Sequence, residues 1–319
     1  MGTRKAKYWG TWYQGYEGTW YGKDEKDSVA LKAQLDEWLQ KAKENVAHLD
    51  QYNNGLLKAV IVPHAGYSYS GATAAHSYAR IDPSLYDRVF VLGPSHYYRM
   101  SDCRVTPFEQ LETPFGPLSI DVACCESLVS SKLFTYLDKS VDMQEHSLEL
   151  QFPFLKAVFG NSPVKLVNIM VGVLDPAAKE EYGKQLVPYM KDPRTLFVIS
   201  SDFCHWGKRF HYQYYDRQDG EIFQSIEKLD RLGMDCIERQ NAKEFNAYLE
   251  KYQNTICGRN PISVLLEMIG HWNDSPPMNS NNRDKIPLET LFVRYDQSMK
   301  CKTFEDLSVS YAAAWTVER

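Results

Sequence analysis

Residues Lys58–Gly71, KAVIVPHAGYSYSG, form a short apolar run that stops at Pro63 and is followed at once by His64. Two more stretches repeat the arrangement: Arg88–His96, RVFVLGPSH, and Thr195–His205, TLFVISSDFCH. Short runs rich in β-branched and aromatic residues, bounded by turn formers, read as buried strands. In an open α/β sheet ligands bind in the crevice outside the carboxyl ends of the strands. His64, His96 and His205 are therefore expected to converge on one pocket, although they are far apart in the chain.

The pattern around these runs supports an α/β fold. Leu31, Leu35, Trp38, Leu39 and Ala42 fall on one face of a helix for which Ser28 is a candidate N-cap. Strand 58–62, helix 72–79 and strand 88–92 make a βαβ unit, whose strands are parallel. Residues 102–121 hold three prolines between short apolar runs and suggest a hairpin outside the core sheet. Helix 122–133 follows. Residues 144–159 have helical spacing interrupted at Pro153. Strand 164–173, helix 176–190, strand 195–200 and helices 220–239 and 242–252 come next. Asn260 is a candidate cap with Pro261 at the first helical position. Residues 271–287 read as a surface loop, and 288–295 and 308–317 as closing strands. No linker divides the chain, so one domain over 28–319 is expected behind an aromatic-rich arm, 1–27.

Composition narrows the function. The 319 residues are 44% hydrophobic and 24% charged, as in an ordinary globular protein. A net charge of −5 offers no basic field for nucleic acid. No apolar run approaches the roughly 18 residues of a membrane span, and the first residues lack the apolar core of a secretory signal. A cytoplasmic or nuclear protein is expected. The seven cysteines include no C-x-x-C pair, which argues against a disulfide framework and a zinc ribbon.

Neutral imidazoles joined by a thiolate or a carboxylate make a site for zinc, iron or copper. Asp202 and His205 stand three apart in SSDFCHWG, where the carboxylate either caps the turn or orients the imidazole for proton transfer. Glu145, His146 and Glu149 put a histidine and carboxylates on one short segment. A serine hydrolase with Ser95, Ser200 or Ser201 lacks the G-x-S-x-G elbow. No phosphate-binding glycine loop is present either.

The phrases VPHAGYSYSG, VLGPSHYY, EHSLELQFPFL, VISSDFCHWG, NTICGRNPISVLL and SVSYAAA, in that order, closely resemble the Memo family (mediator of ErbB2-driven cell motility). The resemblance implies a single α/β domain with a mixed, mostly parallel sheet flanked by helices, similar to the class III extradiol dioxygenases that use non-haem iron. It implies His64, His96 and Cys257 as ligands of iron or copper, ahead of zinc, with His205 and Asp202 as catalytic residues. Tyr69, Trp20 and His146 are the expected binding residues. It further implies an oxidoreductase-like role in receptor tyrosine kinase signalling to the cytoskeleton, with phosphotyrosine peptides, adaptors and cytoskeletal regulators as partners. The alternative is a non-catalytic adaptor that receives such peptides in a vestigial pocket. Two departures stand out. The family's N-terminal His-Ala-Gly-Ser-Trp-Tyr phrase lacks its histidine here, and Tyr97 stands where a second histidine often follows Gly-Pro-Ser-His.

Overall fold

The structure, a computed structural model, describes residues 2–5, 25–47, 49, 55–274 and 287–319. Within the expected arm, residues 6–24, Trp20 among them, lie outside the described residues.

The described chain opens with β1 (Thr3–Arg4) and α1 (Glu25–Val46). The expected strand–helix–strand unit is β2 (Leu56–Val62), α2 (Tyr67–Tyr78) and β3 (Arg88–Pro94). Short elements follow: β4 (Cys103–Val105), β5 (Gln110–Leu111), β6 (Leu118–Ile120), α3 (Val122–Ser130), β7 (Phe134–Tyr136), α4 (Lys139–Asp142), α5 (His146–Glu149) and α6 (Phe152–Phe159). Then come β8 (Lys165–Val171), α7 (Pro176–Lys191), β9 (Thr195–Ser200) and β10 (His205–Trp206). The chain ends with α8 (Ile222–Glu238), α9 (Ala242–Tyr252), α10 (Arg259–Asp274), β11 (Leu288–Gln297) and β12 (Ser308–Glu318).

Five strands lie side by side and parallel in the order β6, β8, β3, β9, β2. β12 runs antiparallel to β2, and β11 pairs antiparallel with β12. This is one α/β domain built on a mixed, mostly parallel sheet with helices around it. Every residue of β9 is buried, and in β2 and β3 only the first residue is not fully so. Such strands read as continuous apolar runs because both faces are covered. Register then places the site: Val62 lies opposite Ser200, and Leu92 opposite Ile199. The segments leaving β2, β3 and β9 therefore emerge at one edge.

Several boundaries differ from expectation. α2 starts at Tyr67, five residues early, because Gly71 sits against Trp38 of α1, where a Cβ would come within 2.2 Å of the indole. That close approach buries Ser70 and Gly71, in a stretch whose intrinsic helix propensity is poor. Ser28 lies inside α1 rather than capping it, and Asn260 lies inside α10. The helical stretch 144–159 breaks at Leu150–Gln151, and Pro153 falls in the first turn of α6, where its missing N–H costs nothing. β5 and β6 do form an antiparallel pair, but β6 also extends the parallel sheet and β4 runs against β8. The 102–121 segment thus belongs to the main sheet. Residues 271–274 continue α10 rather than opening a loop.

Candidate functional site

Three adjacent strands supply the site. His64 follows β2 by two residues, His96 follows β3 by two, and Asp202 follows β9 by two. Cys257 comes from the loop between α9 and α10, which presses on the end of β9. Gly258 shows how tightly: a Cβ there would meet Ser201 Cβ at 2.4 Å and Ser200 O at 2.6 Å. The Gly258 N–H donates to Ser201 Oγ, 3.1 Å. Cys257 Sγ lies 3.2 Å from His64 Nε2 and accepts from the Asp202 N–H at 3.3 Å.

Hydrogen-bond inventory fixes the tautomer of His64. The Ser200 hydroxyl has one proton, given to the Ser147 carbonyl at 2.6 Å, and two lone pairs. One accepts from Gln151 Nε2 at 2.8 Å; the other faces His64 Nδ1, also 2.8 Å. Gln151 is itself oriented by Tyr78 OH donating to its Oε1, 2.7 Å. Only a protonated Nδ1 satisfies this arrangement, so the lone pair of His64 is on Nε2, facing the thiol. His205 follows the same rule, with Nδ1 donating to the carbonyls of Phe203 (2.9 Å) and Thr255 (3.1 Å). The Nδ1 of His96 donates to Glu145 Oε1 at 2.8 Å, while Oε2 accepts from the His96 N–H at 2.6 Å. Partners of this kind, on the nitrogen away from the site, orient the imidazoles of metal centres and set their basicity.

Charge is distributed unevenly across the cluster. Burial, then the neighbouring His96, His146 and His205, hold His64 well below the ordinary histidine range. Burial also works against a charge on His96, but hydrogen bonds with Cys257 and Glu145 outweigh it and raise that imidazole to about 10. Glu145 drops to about 2 despite its burial, through His96. Burial and the charge on His96 lower His146 to about 4. Burial lifts Asp202 to about 7 against the pull of the His64 and Ala65 N–H groups, and it raises the Cys257 thiol while His96 pulls the other way. At neutral pH the cluster therefore holds one imidazolium–carboxylate pair, the solvent-accessible His96 ring on the buried Glu145 carboxylate, among neutral imidazoles.

Two groups of donors, sharing His64, each come close enough together to hold an ion. The nitrogens of His64, His96 and His146 lie within 4.8 Å of one another, as do the ligand atoms of His64, Asp202 and Cys257. Two imidazoles at about 2.1 Å from one tetrahedral ion would have ring centroids about 5 Å apart; those of His64 and His96 are 5.2 Å apart. The second group joins an imidazole and a carboxylate to a thiol, a mixed set open to first-row transition metals such as iron, copper or zinc.

The structure brings together His64, His96, His146, Asp202 and Cys257. His205 is near enough that a proton on it would disfavour one on His64 or His146, and burial holds it below the ordinary histidine range. Tyr69 is 47% exposed on the first turn of α2, just beyond the His64 loop. Of the trio on segment 145–149, Glu145 and His146 face the cluster, whereas Glu149 turns to Arg4. Sequence reasoning missed Gln151, Thr255 and the orienting role of Ser200, which it weighed only as a nucleophile. Nothing in the order of residues marks them, since each acts across the fold.

These features define a class: an α/β protein with an imidazole–thiol cluster at the carboxyl ends of its central parallel strands. A family model described as Memo-like protein matches residues 14–315. "Protein MEMO1" of Danio rerio is 40% identical over 315 residues, covering 98% of this chain and 97% of that protein. The Homo sapiens "Protein MEMO1" is 38% identical over 312 residues, covering 97% and 96%. "Protein memo-1 homolog" of Caenorhabditis elegans is 40% identical over 299 residues, 93% of this chain and 80% of that one. The chain belongs to the Memo-like family. Among solved structures, the uncharacterized protein JW3007 from Escherichia coli K12 superposes with a TM-score of 0.45 at 14% identity, covering 79% of this chain and 98% of its own.

Proposed function

We propose that this chain is a redox-linked metal-binding protein in which His64 Nε2, His96 Nε2 and Cys257 Sγ hold one iron or copper ion. The observation that carries the reading is the pairing of a thiol with an imidazole whose tautomer is fixed so that its lone pair meets the sulfur. Iron or copper there would supply one-electron redox chemistry to a bound substrate. The protein's own groups would handle protons. His205, a neutral imidazole held through Nδ1, accepts one at Nε2, and Asp202, poised at about 7, takes up or releases one near neutral pH. Tyr69, His146 and Trp20 are the residues assigned to substrate or peptide binding. The reading extends to receptor tyrosine kinase signalling in cytoplasm or nucleus, with phosphotyrosine peptides, adaptors and cytoskeletal regulators as partners.

One observation favours a second reading, an adaptor that takes a phosphotyrosine peptide without catalysis. His96, held by Glu145 and raised to about 10, is a solvent-accessible cation in the metal-free protein, within reach of an anionic group. Elemental analysis of protein purified without a metal-binding tag, beside His64→Ala and Cys257→Ser, separates the two. Stoichiometric iron or copper lost in both variants supports the metal centre. Equal, substoichiometric metal in all three, with tight phosphotyrosine-peptide binding, supports the adaptor.

A further inference from the structure

The segment that carries Glu145 and His146 is poorly able to hold itself. α4 and α5 are four residues each, and helices so short gain little from their own hydrogen bonds. What fixes them comes from the far end of the chain. Arg4 is 1% exposed, in a strand of two residues paired with β5. Its Nε donates to Asp142 Oδ1 at 2.7 Å and its Nη1 to Glu149 Oε2 at 2.5 Å. Its Nη2 donates to the main-chain carbonyls of Asp142, 2.7 Å, and Glu145, 3.3 Å. One planar guanidinium thus ties the last residue of α4, the cap of α5 and the last residue of α5. The middle anchor is the residue whose carboxylate grips both the main chain and the ring of His96.

We propose that Arg4 is a positioning residue for the Glu145–His96 couple: by holding the Glu145 main chain, it sets where His96 Nε2 points. Lysine would not serve, because a point charge does not reach two carboxylates and two carbonyls in one plane. The inference builds on the metal reading, yet it concerns a bond that exists in the metal-free protein. That bond allows an independent test.

The test compares the full chain with Arg4→Met and with the triple variant Arg4→Met/Asp142→Asn/Glu149→Gln. The triple variant leaves no carboxylate buried without its partner, so it separates loss of positioning from loss of folding. In the metal-free proteins the hydrogen-bonded Nδ1 proton of His96 is followed by imidazole NMR, and copper(I) affinity by competition with a chelator. The His96 proton is expected to exchange at least about tenfold faster in both variants, and copper(I) affinity to fall about 10–100-fold, as when a metal's supporting hydrogen bonds are removed. A triple variant that keeps the parent's His96 proton overturns the inference, and should Arg4→Met fail to fold, that variant decides alone. A parent that takes up no copper(I) while the His96 proton still depends on Arg4 would sink the metal reading and leave the role of Arg4 standing.

Discussion

Cys257 Sγ lies 3.2 Å from His64 Nε2, although 193 residues separate the two in the chain. The contact joins the end of the strand next to the sheet's antiparallel edge to the loop before the last long helix. Both partners are held from behind, His64 by Ser200 and the Cys257 loop by the close approach of Gly258 to Ser201.

Removing the support behind His64 should weaken the centre more than the fold. Ser200→Ala takes away the acceptor for His64 Nδ1 and frees the tautomer. A loss of about 10–100-fold in copper or iron affinity is expected. Denaturant melts should show a stability loss of only about 1–3 kcal/mol, from leaving Gln151 Nε2 and the Ser147 carbonyl short of a partner. Unchanged affinity would mean that Ser200 does not set the lone pair.

Gly258→Ala tests the loop. Its Cβ has no room beside Ser201 and the Ser200 carbonyl, so the Cys257 loop must move away from β9. Overpacking of this kind costs about 1–3 kcal/mol. The variant should melt earlier and lose metal stoichiometry, whereas a parent-like melting curve with full metal would show that the loop is not clamped there.

Metal uptake should release protons. An ion at His96 Nε2 and Cys257 Sγ displaces a proton from an imidazolium near 10 and one from a thiol raised above its ordinary 9.0. Below those values apparent affinity climbs with pH, about a hundredfold per unit between pH 6 and 8 for two displaced protons. Affinity that is flat over this range would contradict the ligand set.

How far the sequence reaches is clearest at this site. The strand runs ending before His64, His96 and the Asp202–His205 segment are legible because buried parallel strands are apolar throughout, and the family phrases single out Cys257. The sequence names His205 as the residue delivered after β9, where the structure puts Asp202 two residues past its end. The supports were not legible. Gln151, Thr255 and Arg4 act through bonds spanning from 49 to 145 residues of chain, and local pattern carries no trace of such pairings. The start of α2 was misjudged for a related reason: its helix is stabilised by the close seat of Gly71 on Trp38, a tertiary contact that local propensity does not report.

Asp230 gives a pH signature away from the cluster. Burial raises it to about 6, against hydrogen bonds from Ser310, Asn254 and Tyr295. Its folded value lies above the unfolded value of about 3.9, so the native state holds the proton more tightly. Stability from this group is therefore greatest below about pH 4, falls as pH rises to about 6, and is level above, a loss on the order of 3 kcal/mol. Denaturant melts at pH 4 and pH 7 should show that difference in the parent relative to Asp230→Asn. Equal differences in the two proteins would remove Asp230 as the cause.

X-ray absorption at the iron or copper edge, on protein loaded with one ion per chain, reads the proposed centre most directly. The expected result is one sulfur and two imidazole nitrogens around the ion in the parent, with the sulfur lost in Cys257→Ser and one imidazole lost in His64→Ala. A shell without sulfur in the parent, or one that neither substitution alters, would contradict the assignment of His64, His96 and Cys257.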